Sequence, residues 1–368
     1  MIGAGGTGGH VYPALAAAEA LYSHAATHND ALTLTFVGTV GGGGIEKTLV
    51  DKSDVVFAAY EALPAGPIVG VNPLRALASS GKMLLGVAQG LRLLARHRPQ
   101  AILLTGGWAN VPLALAASLR NVPLLIYLPD IEPGSTIRVL KRFARRIAIT
   151  VPAAAQHFDA DKTIVTGYPL GTRITTATRA AGQRRFLLEP QRKTLLIFGG
   201  SRGARSINLA IEGILGALLA DGLQIIHVTG QLDWARSQEA TRAHHGDPYY
   251  RPQPYLDDMG LAFAAADLAI CRSGASTLGE MPYFRLPSIL VPYPYAWRYQ
   301  KTNADYMTQA GAAVRVNDEA MHAQLLPTVR GLLGDDARYA TMQAQLAAIA
   351  QPDSADKLAQ ALISVARA

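Results

Sequence analysis

The sequence predicts an α/β protein built on two doubly wound parallel sheets, and three observations carry that prediction. Short apolar runs rich in β-formers alternate with longer helical stretches along the chain, as expected for strands buried on both faces and joined by crossover helices. The pattern lapses between Tyr168 and Lys193, where arginines occur and apolar periodicity is weak, and it restarts at Thr194. Each half also carries a glycine-rich turn, GGTGGH at 5–10 and GGSRGARSIN at 199–208.

In the first half the candidate strands are LTLTFVG (32–38), AILLTG (101–106), PLLIYL (123–128), RIAIT (146–150) and TIVTG (163–167). In the second half they are TLLIFGG (194–200), QIIHVTG (224–230), LAICRSG (268–274) and PSILVPY (287–293). The expected organisation is a first domain over 1–166, a linker over 167–193, a second domain over 194–350 and a C-terminal helix over 351–368. That helix is free to pack back on the first domain. Only Met1, Ile2, Gly3 and Ala4 precede the first glycine turn, where a full strand is expected. Either the natural start lies upstream, or the first sheet is compromised at its middle.

A chain of 368 residues exceeds one ordinary core. With 49% hydrophobic and 17% charged residues, disorder is excluded. The single cysteine, Cys271, excludes an internal disulfide framework and fits a reducing compartment; it reads as buried strand filler rather than as a nucleophile. The longest uncharged stretch, 101–119, contains Gly106, Gly107, Asn110 and Pro112, so it reads as strand, loop and helix rather than as a membrane span. A net charge of +7 and a pI near 9.5 point to an anionic partner: nucleic acid, anionic lipid or a phosphorylated substrate. No zinc-ligand spacing, RNA-binding signature or basic tail is present, so no nucleic-acid partner is expected.

Glycine turns let backbone N–H groups approach an anion, and the helix that follows favours negative charge. A third helix start, RSGASTLGE at 272–280, adds to the two turns. A lone turn is as often purely structural, but three together favour phosphate binding. Neither turn has the GK[ST] of a nucleoside triphosphate loop. The dinucleotide fingerprint fits poorly as well, because Thr39, Val40 and four glycines stand where its acidic residue belongs. His10 closes the first turn; taken alone it reads as a capping or packing residue, and as a general base only with further support. The carboxylates at 159–161 and 256–258 form no convincing metal set, so no metal and no cofactor is expected.

The ordered landmarks GGTGGHVYPALA, LLTGGWANVP, GGSRGARSIN, PYLDDMGLAFAAADLAICRSGASTLGEM, LPSILVPYPYAWRYQKTNA and AGAAV run to about residue 314. In order and spacing this set resembles the MurG family of glycosyltransferase family 28. These are inverting enzymes that add N-acetylglucosamine to the lipid-linked muramoyl-pentapeptide of peptidoglycan synthesis. The resemblance implies the GT-B fold, two Rossmann-like domains facing across a cleft. It also implies UDP-N-acetylglucosamine as donor, a lipid-linked muramoyl-peptide as acceptor, and a peripheral position on the anionic cytoplasmic face of the cell membrane.

Residue roles follow from the same resemblance. His10 would be catalytic, with Asp130 and Glu132 as further candidates bordering the cleft. Ser201, Arg202 and Gly203, in a backbone running from Gly200 to Ala204, would approach the diphosphate. The backbone at Leu256 would meet the uracil, and Glu280 the ribose hydroxyls. Arg272, Ser273, Gly274, Ala275, Ser276 and Thr277 would line the phosphate side. Gln300 and Asn303 would contact the sugar, and Thr7, Gly8 and Gly9 would join the donor site from the first turn. The chain departs from the family at Tyr127-Leu128-Pro129-Asp130, where a His-Glu-Gln-Asn stretch is usual. It departs again at Gly171, where an arginine is expected and Arg173 lies nearby, and at Tyr299-Gln300, where a glutamine pair is expected. Donor-side landmarks are thus better kept than acceptor-side ones.

Basic and apolar residues mix in two places. Leu74, Leu77, Met83, Leu84, Leu85, Val87, Leu91 and Leu94 alternate with Arg75, Lys82, Arg92, Arg96 and Arg98. Arg138, Lys141, Arg142, Arg145 and Arg146 form a second cluster. Both suit an anionic lipid surface, and both equally suit an amphipathic core helix with a solvated basic face. Two further functional readings share the fold: a glycosyltransferase acting on another lipid acceptor, and a non-catalytic UDP-sugar-binding or scaffold protein.

Overall fold

A computed structural model describes residues 1–6, 8–40, 45–67, 71–200, 203–294 and 299–367. The chain divides into one unit of Met1–Gly171 with Pro352–Ala368, and a second of Thr172–Gln351. The first unit holds strands β1 (Ile2–Gly3), β2 (Thr35–Thr39), β3 (Ala59–Leu63), β4 (Ile102–Leu104), β5 (Leu124–Leu128), β6 (Arg146–Ile149) and β7 (Thr163–Val165). They form a parallel sheet in the order β3-β2-β1-β4-β5-β6-β7. The order reverses direction between β1 and β4, which opens a crevice at the carboxyl ends of those two strands. The first glycine turn and the loop over 105–109 both emerge there.

β1 is two residues long, yet it closes the ladder. Ile2 pairs with Phe36 on one side and Leu103 on the other, and Gly3 with Val37 and Leu104. The main chain extends this pairing at both ends: Leu103 N donates to Met1 O at 3.0 Å, and Ala4 N to Val37 O at 3.2 Å. The middle of the sheet is therefore continuous, and the turn after β1 is anchored on both flanks.

The second unit holds β8 (Thr194–Phe198), β9 (Gln224–Val228), β10 (Tyr250–Gln253), β11 (Leu268–Cys271), β12 (Ser288–Leu290) and β13 (Val314–Arg315), in the parallel order β10-β9-β8-β11-β12-β13. Its switch point lies between β8 and β11. The second glycine turn follows β8 and the RSGASTLGE segment follows β11, so both stand at that point. The apolar runs marked in the sequence lie within the two sheets. β3, β10 and β13 had no such signal, because an edge strand is half-solvated and tolerates Glu61, Arg251, Pro252 and Arg315.

The segment expected as a linker is folded. Helices Thr172–Thr175 and Arg179–Phe186 pack on the helix Met259–Ala265. Thr178 caps the second helix by accepting from Ala181 N at 3.3 Å, and Arg179 pairs with Asp267 at 3.0 Å. Its weak apolar periodicity reflects a small, arginine-rich helix held by polar contacts. The last helix, Ser354–Arg367, lies in the first unit, where Leu358, Leu362 and Val365 join Ala14, Leu21, Phe36 and Leu125 in one core.

Helix Pro73–His97 starts at Asn72, whose side chain accepts from Arg75 N at 2.8 Å, with Pro73 in the first turn. Its buried face is Ser79, Met83, Gly86, Gly90 and Leu94. Leu74, Leu77, Leu84 and Leu85 lie on the opposite side and are 81%, 73%, 74% and 53% exposed. The core therefore does not explain these leucines.

Candidate active site

At the first switch point, His10 stands in the first turn of the helix Gly8–His28, just past the glycine turn. Its Nδ1 lies 3.1 Å from the Gly5 carbonyl oxygen. A carbonyl only accepts, so Nδ1 carries the proton and the neutral ring keeps its lone pair on Nε2. Desolvation lowers the pKa of the ring, against which the Asp130 carboxylate and the Gly5 carbonyl pull upward. At neutral pH the ring is therefore the uncharged form, which can take up a proton. Gly106 forms the floor beneath it at φ +125°, and Thr105 Oγ1 donates to the His10 carbonyl at 2.7 Å. Asn110, fully buried, fixes that floor by donating to the carbonyls of Gly106 at 2.6 Å and Gly3 at 3.2 Å. Gly8 and Gly9 open the helix, and the Gly9 carbonyl faces the Tyr168 hydroxyl at 3.5 Å. Thr7 lies outside the described residues.

At the second switch point Gly203 has φ +77° and packs so closely on the next turn that a Cβ would stand 2.5 Å from the Thr229 carbonyl oxygen. Only glycine fits there. That carbonyl also accepts from Asn208 Nδ2 at 2.9 Å, and Asn208 Oδ1 faces His227 Nε2 at 3.0 Å. His227 is fully buried, and burial pulls its pKa down to about 4, so it stays neutral. Its Nε2–H donates to Asn208 while Nδ1 accepts from the Tyr250 hydroxyl at 3.0 Å. Ser201 and Arg202 lie outside the described residues.

The segment after β11 completes this side. Arg272 is buried, and its guanidinium is spent on protein partners: Asp318, Ser206 Oγ at 2.6 Å, and the carbonyls of Val291 at 3.2 Å and Pro292 at 3.3 Å. Ser273 is buried and donates to the Gln300 carbonyl at 2.7 Å. Thr277 Oγ1 donates to the Gly274 carbonyl at 2.6 Å. Ala275 is buried, and Ser276 Oγ donates to Glu280 Oε2 at 2.8 Å. Burial pushes the Glu280 carboxyl up to about 7, with the Ser276 hydroxyl pulling the other way.

Asn303 is fully buried and donates to the Ser273 carbonyl at 3.2 Å, which makes it a strut under the turn. Gln300 Oε1 accepts from Tyr293 N at 2.9 Å. Leu256 is buried just past β10. Among the described residues, no group of three or more His, Cys, Asp or Glu could hold a metal ion.

Residues 1–149 match the glycosyltransferase family 28 N-terminal domain, and residues 194–358 match the family's C-terminal domain. The chain belongs to glycosyltransferase family 28. A relative from Roseiflexus sp. (strain RS-1) is 39% identical over 96% of this chain and 92% of its own length. It is named UDP-N-acetylglucosamine--N-acetylmuramyl-(pentapeptide) pyrophosphoryl-undecaprenol N-acetylglucosamine transferase. A relative of the same name from Desulforudis audaxviator (strain MP104C) is 37% identical over 97% of this chain and 96% of its own. Among solved structures, Acinetobacter baumannii MurG is similar with a TM-score of 0.75 at 25% identity, covering 99% of this chain and 98% of that one. The Neisseria meningitidis UDP-GlcNAc 2-epimerase shares the fold, with a TM-score of 0.69 at 12% identity over 99% of each chain. The two doubly wound parallel-sheet units are the GT-B architecture expected of family 28.

Three polar groups of this family 28 site were not singled out in the sequence. Glu46 and Asp318 lie outside the motifs, Ser206 lies inside GGSRGARSIN, and the contacts that place Glu46, Ser206 and Asp318 span 40, 66 and 46 residues. The family's polar stretch is replaced at Tyr127 by a fully buried ring inside β5, whose hydroxyl pairs with Thr150 Oγ1 at 2.7 Å. That substitution is therefore absorbed in the core of the sheet. Asp130, at the end of the same stretch, is the member that acts on His10.

Proposed function

We propose that this family 28 enzyme moves N-acetylglucosamine, with inversion, from UDP-N-acetylglucosamine to the muramoyl sugar of N-acetylmuramyl-(pentapeptide) pyrophosphoryl-undecaprenol. The observation that carries the reading is the neutral His10, held by the Gly5 carbonyl with its lone pair on Nε2. In the reaction the acceptor hydroxyl loses its proton to Nε2 as its oxygen attacks the anomeric carbon. The bond from that carbon to the diphosphate breaks on the opposite face, and UDP leaves. The Gly200–Ala204 backbone and the segment Ser273–Thr277 meet the diphosphate, Leu256 meets the uracil and Glu280 the ribose hydroxyls. Developing charge on UDP is taken up by backbone N–H groups and helix N-termini. Thr7, Ser201, Arg202 and Gln300 keep the donor-side roles that the family resemblance gives them, and the buried Asn303 supports that side from beneath through the Ser273 carbonyl.

The polyprenyl acceptor requires access to a bilayer. No described helix is long and apolar enough to cross one. The family resemblance and the basic, leucine-bearing helix Pro73–His97 favour a peripheral position on the anionic cytoplasmic face. The exposed leucines of helix Pro73–His97 would enter the interface, with Arg75, Lys82, Arg92 and Arg96 beside them. The test is UDP release with purified protein, the lipid-linked muramoyl-peptide acceptor and a panel of UDP-sugars. Turnover confined to UDP-N-acetylglucosamine supports the reading. Turnover only on another lipid acceptor, or UDP-sugar binding without turnover, would replace it.

A further inference from the structure

One peptide group joins two side chains of the first turn. The Gly5 carbonyl accepts from His10 Nδ1 at 3.1 Å. The amide of Gly6, at the other end of the same peptide, donates to Glu46 Oε1 at 2.9 Å. We propose that Glu46 is a positioning residue for His10 and acts on it through the Gly5–Gly6 peptide. The proposal rests on the reading of His10 as the base, and it adds a second carboxylate, beside that of Asp130, to the electrostatics of the ring.

The physical basis is polarisation along a hydrogen-bond chain. A carboxylate on the N–H end of a peptide draws the amide proton and makes the carbonyl at the other end a stronger acceptor. That acceptor holds the Nδ1–H tautomer and keeps the lone pair on Nε2. When Nε2 takes the acceptor's proton, the ring becomes positive and its Nδ1–H bond to Gly5 tightens. The Glu46 charge then compensates the imidazolium from one peptide away. No proton crosses the peptide; Nδ1 keeps its hydrogen throughout. In a Ser-His-Asp site the carboxylate touches the ring directly, and here a single peptide stands between.

The surroundings fit this assignment. Glu46 is 1% exposed, and a carboxylate so buried needs a specific donor. A Cβ on Gly5 would stand 3.0 Å from Glu46 Oε1 and 2.9 Å from Thr39 Oγ1. Gly5 is therefore required for the close approach of the carboxylate, since its φ is not positive. Among the described residues, other charged or titratable groups also face this chain. Asp130 acts on His10 directly, and the Tyr168 hydroxyl meets the next carbonyl, Gly9. Tyr60 stands near Glu46, and burial, Glu46 and Asp51 all raise its phenol pKa. Lys47 is paired with Asp51 at 2.7 Å.

The experiment titrates His10 by ring ¹⁵N NMR in the wild-type protein, in Glu46→Gln and in Asp130→Asn, with kcat and donor KM measured in parallel. Glu46→Gln keeps an oxygen for the Gly6 amide but removes the charge. It should lower the His10 midpoint by about half to one pH unit and kcat roughly tenfold, with donor KM within about twofold. Combined with His10→Ala it should cost nothing further. In the unmodified protein, the Gly6 amide proton should lie downfield and titrate with the His10 midpoint, a readout that survives if the variant fails to fold. An unmoved midpoint, a Gly6 amide indifferent to His10, or an equal loss in the His10→Ala background would overturn the proposal. If His10→Ala alone keeps full turnover, the base reading fails, and the two NMR responses then decide whether Glu46 acts on the ring.

Discussion

The imidazole of His10 lies against Gly106 so closely that a Cβ on the glycine would stand 2.4 Å from Cδ2 and 2.7 Å from Nε2. The nitrogen proposed to receive the acceptor's proton is thus placed by the absence of a side chain across the crevice. Gly106→Ala cannot be accommodated without turning the ring, and φ +125° adds backbone strain. We expect kcat to fall by roughly 10–100-fold while UDP affinity stays unchanged, because the groups proposed for the uracil, ribose and diphosphate belong to the other unit. Steady-state kinetics with calorimetric UDP binding checks this. Equal loss of kcat and UDP affinity would mean that the substitution acts on the whole fold.

Glu280 makes a second, pH-dependent case. Its carboxyl is pushed up to about 7, so near neutrality it is half protonated. Only the carboxylate accepts two hydroxyl hydrogen bonds at once. Donor affinity should therefore rise as pH increases from about 6 to 8 and then level off. The sign for stability is opposite: a folded pKa above the ordinary 4.5 costs the empty protein stability progressively as pH rises from there to about 7. Glu280→Gln should flatten the pH dependence of binding, weaken UDP binding roughly tenfold, and raise the melting temperature at pH 8 relative to wild type. Calorimetry and thermal melts at pH 6 and pH 8 separate the two effects. A variant that lost both affinity and stability at pH 8 would rule out this role.

Much of this was legible in the sequence, and what was not had a physical reason. The buried strands β2, β4, β5, β8, β9, β11 and β12 announce themselves as apolar runs because both faces are covered. Their number and spacing suffice for the fold class and for the position of both glycine turns. β1 escaped notice because two residues carry no periodicity; its partners on both sides hold it. At the site, motif position singled out His10, Gly203 and Glu280 as candidates. Arg272 was singled out as well, for the phosphate side, and in the fold its guanidinium pairs with Asp318. Contacts of that kind depend on side chains far apart in sequence, which one chain's local pattern cannot register.

That Arg272–Asp318 pair leads to a third prediction. The guanidinium is 8% exposed and ties β11 to Ser206 in the helix Arg205–Ala220 and to the 291–292 backbone. Asp318→Ala would leave a buried charge without its counter-ion, which costs about 3–5 kcal/mol. Ser206→Ala removes one neutral partner and should cost about 1 kcal/mol. Urea unfolding measures both. If Arg272 instead served UDP directly, Asp318→Ala would free it and UDP affinity would rise, an outcome opposed to the structural role.

The exposed face of helix Pro73–His97 yields the last prediction. With the helix turning 100° per residue, Leu74, Leu77, Leu84 and Leu85 fall within one arc, and Arg92 and Arg96 lie at its edge. The buried stripe through Met83 and Gly90 is on the far side, so these leucines contribute little to the core. Replacing Leu74, Leu77 and Leu84 together with serine should leave the melting temperature within about 2 °C of wild type. Each leucine inserted into an interface contributes up to about 1.5–3 kcal/mol, so the triple variant should lose at least roughly a hundredfold in partitioning onto anionic vesicles. Charge reversal of Arg75 and Lys82 should act differently: binding should fall on phosphatidylglycerol vesicles and stay unchanged on neutral ones, since the attraction depends on lipid charge and is screened by salt. Flotation of the wild type and both variants, at low and high salt, reads out each effect. Turnover on a detergent-dispersed acceptor should be unchanged in both variants, because the leucine face is remote in function from His10. A triple variant that floats like the wild type would show that another surface meets the lipid.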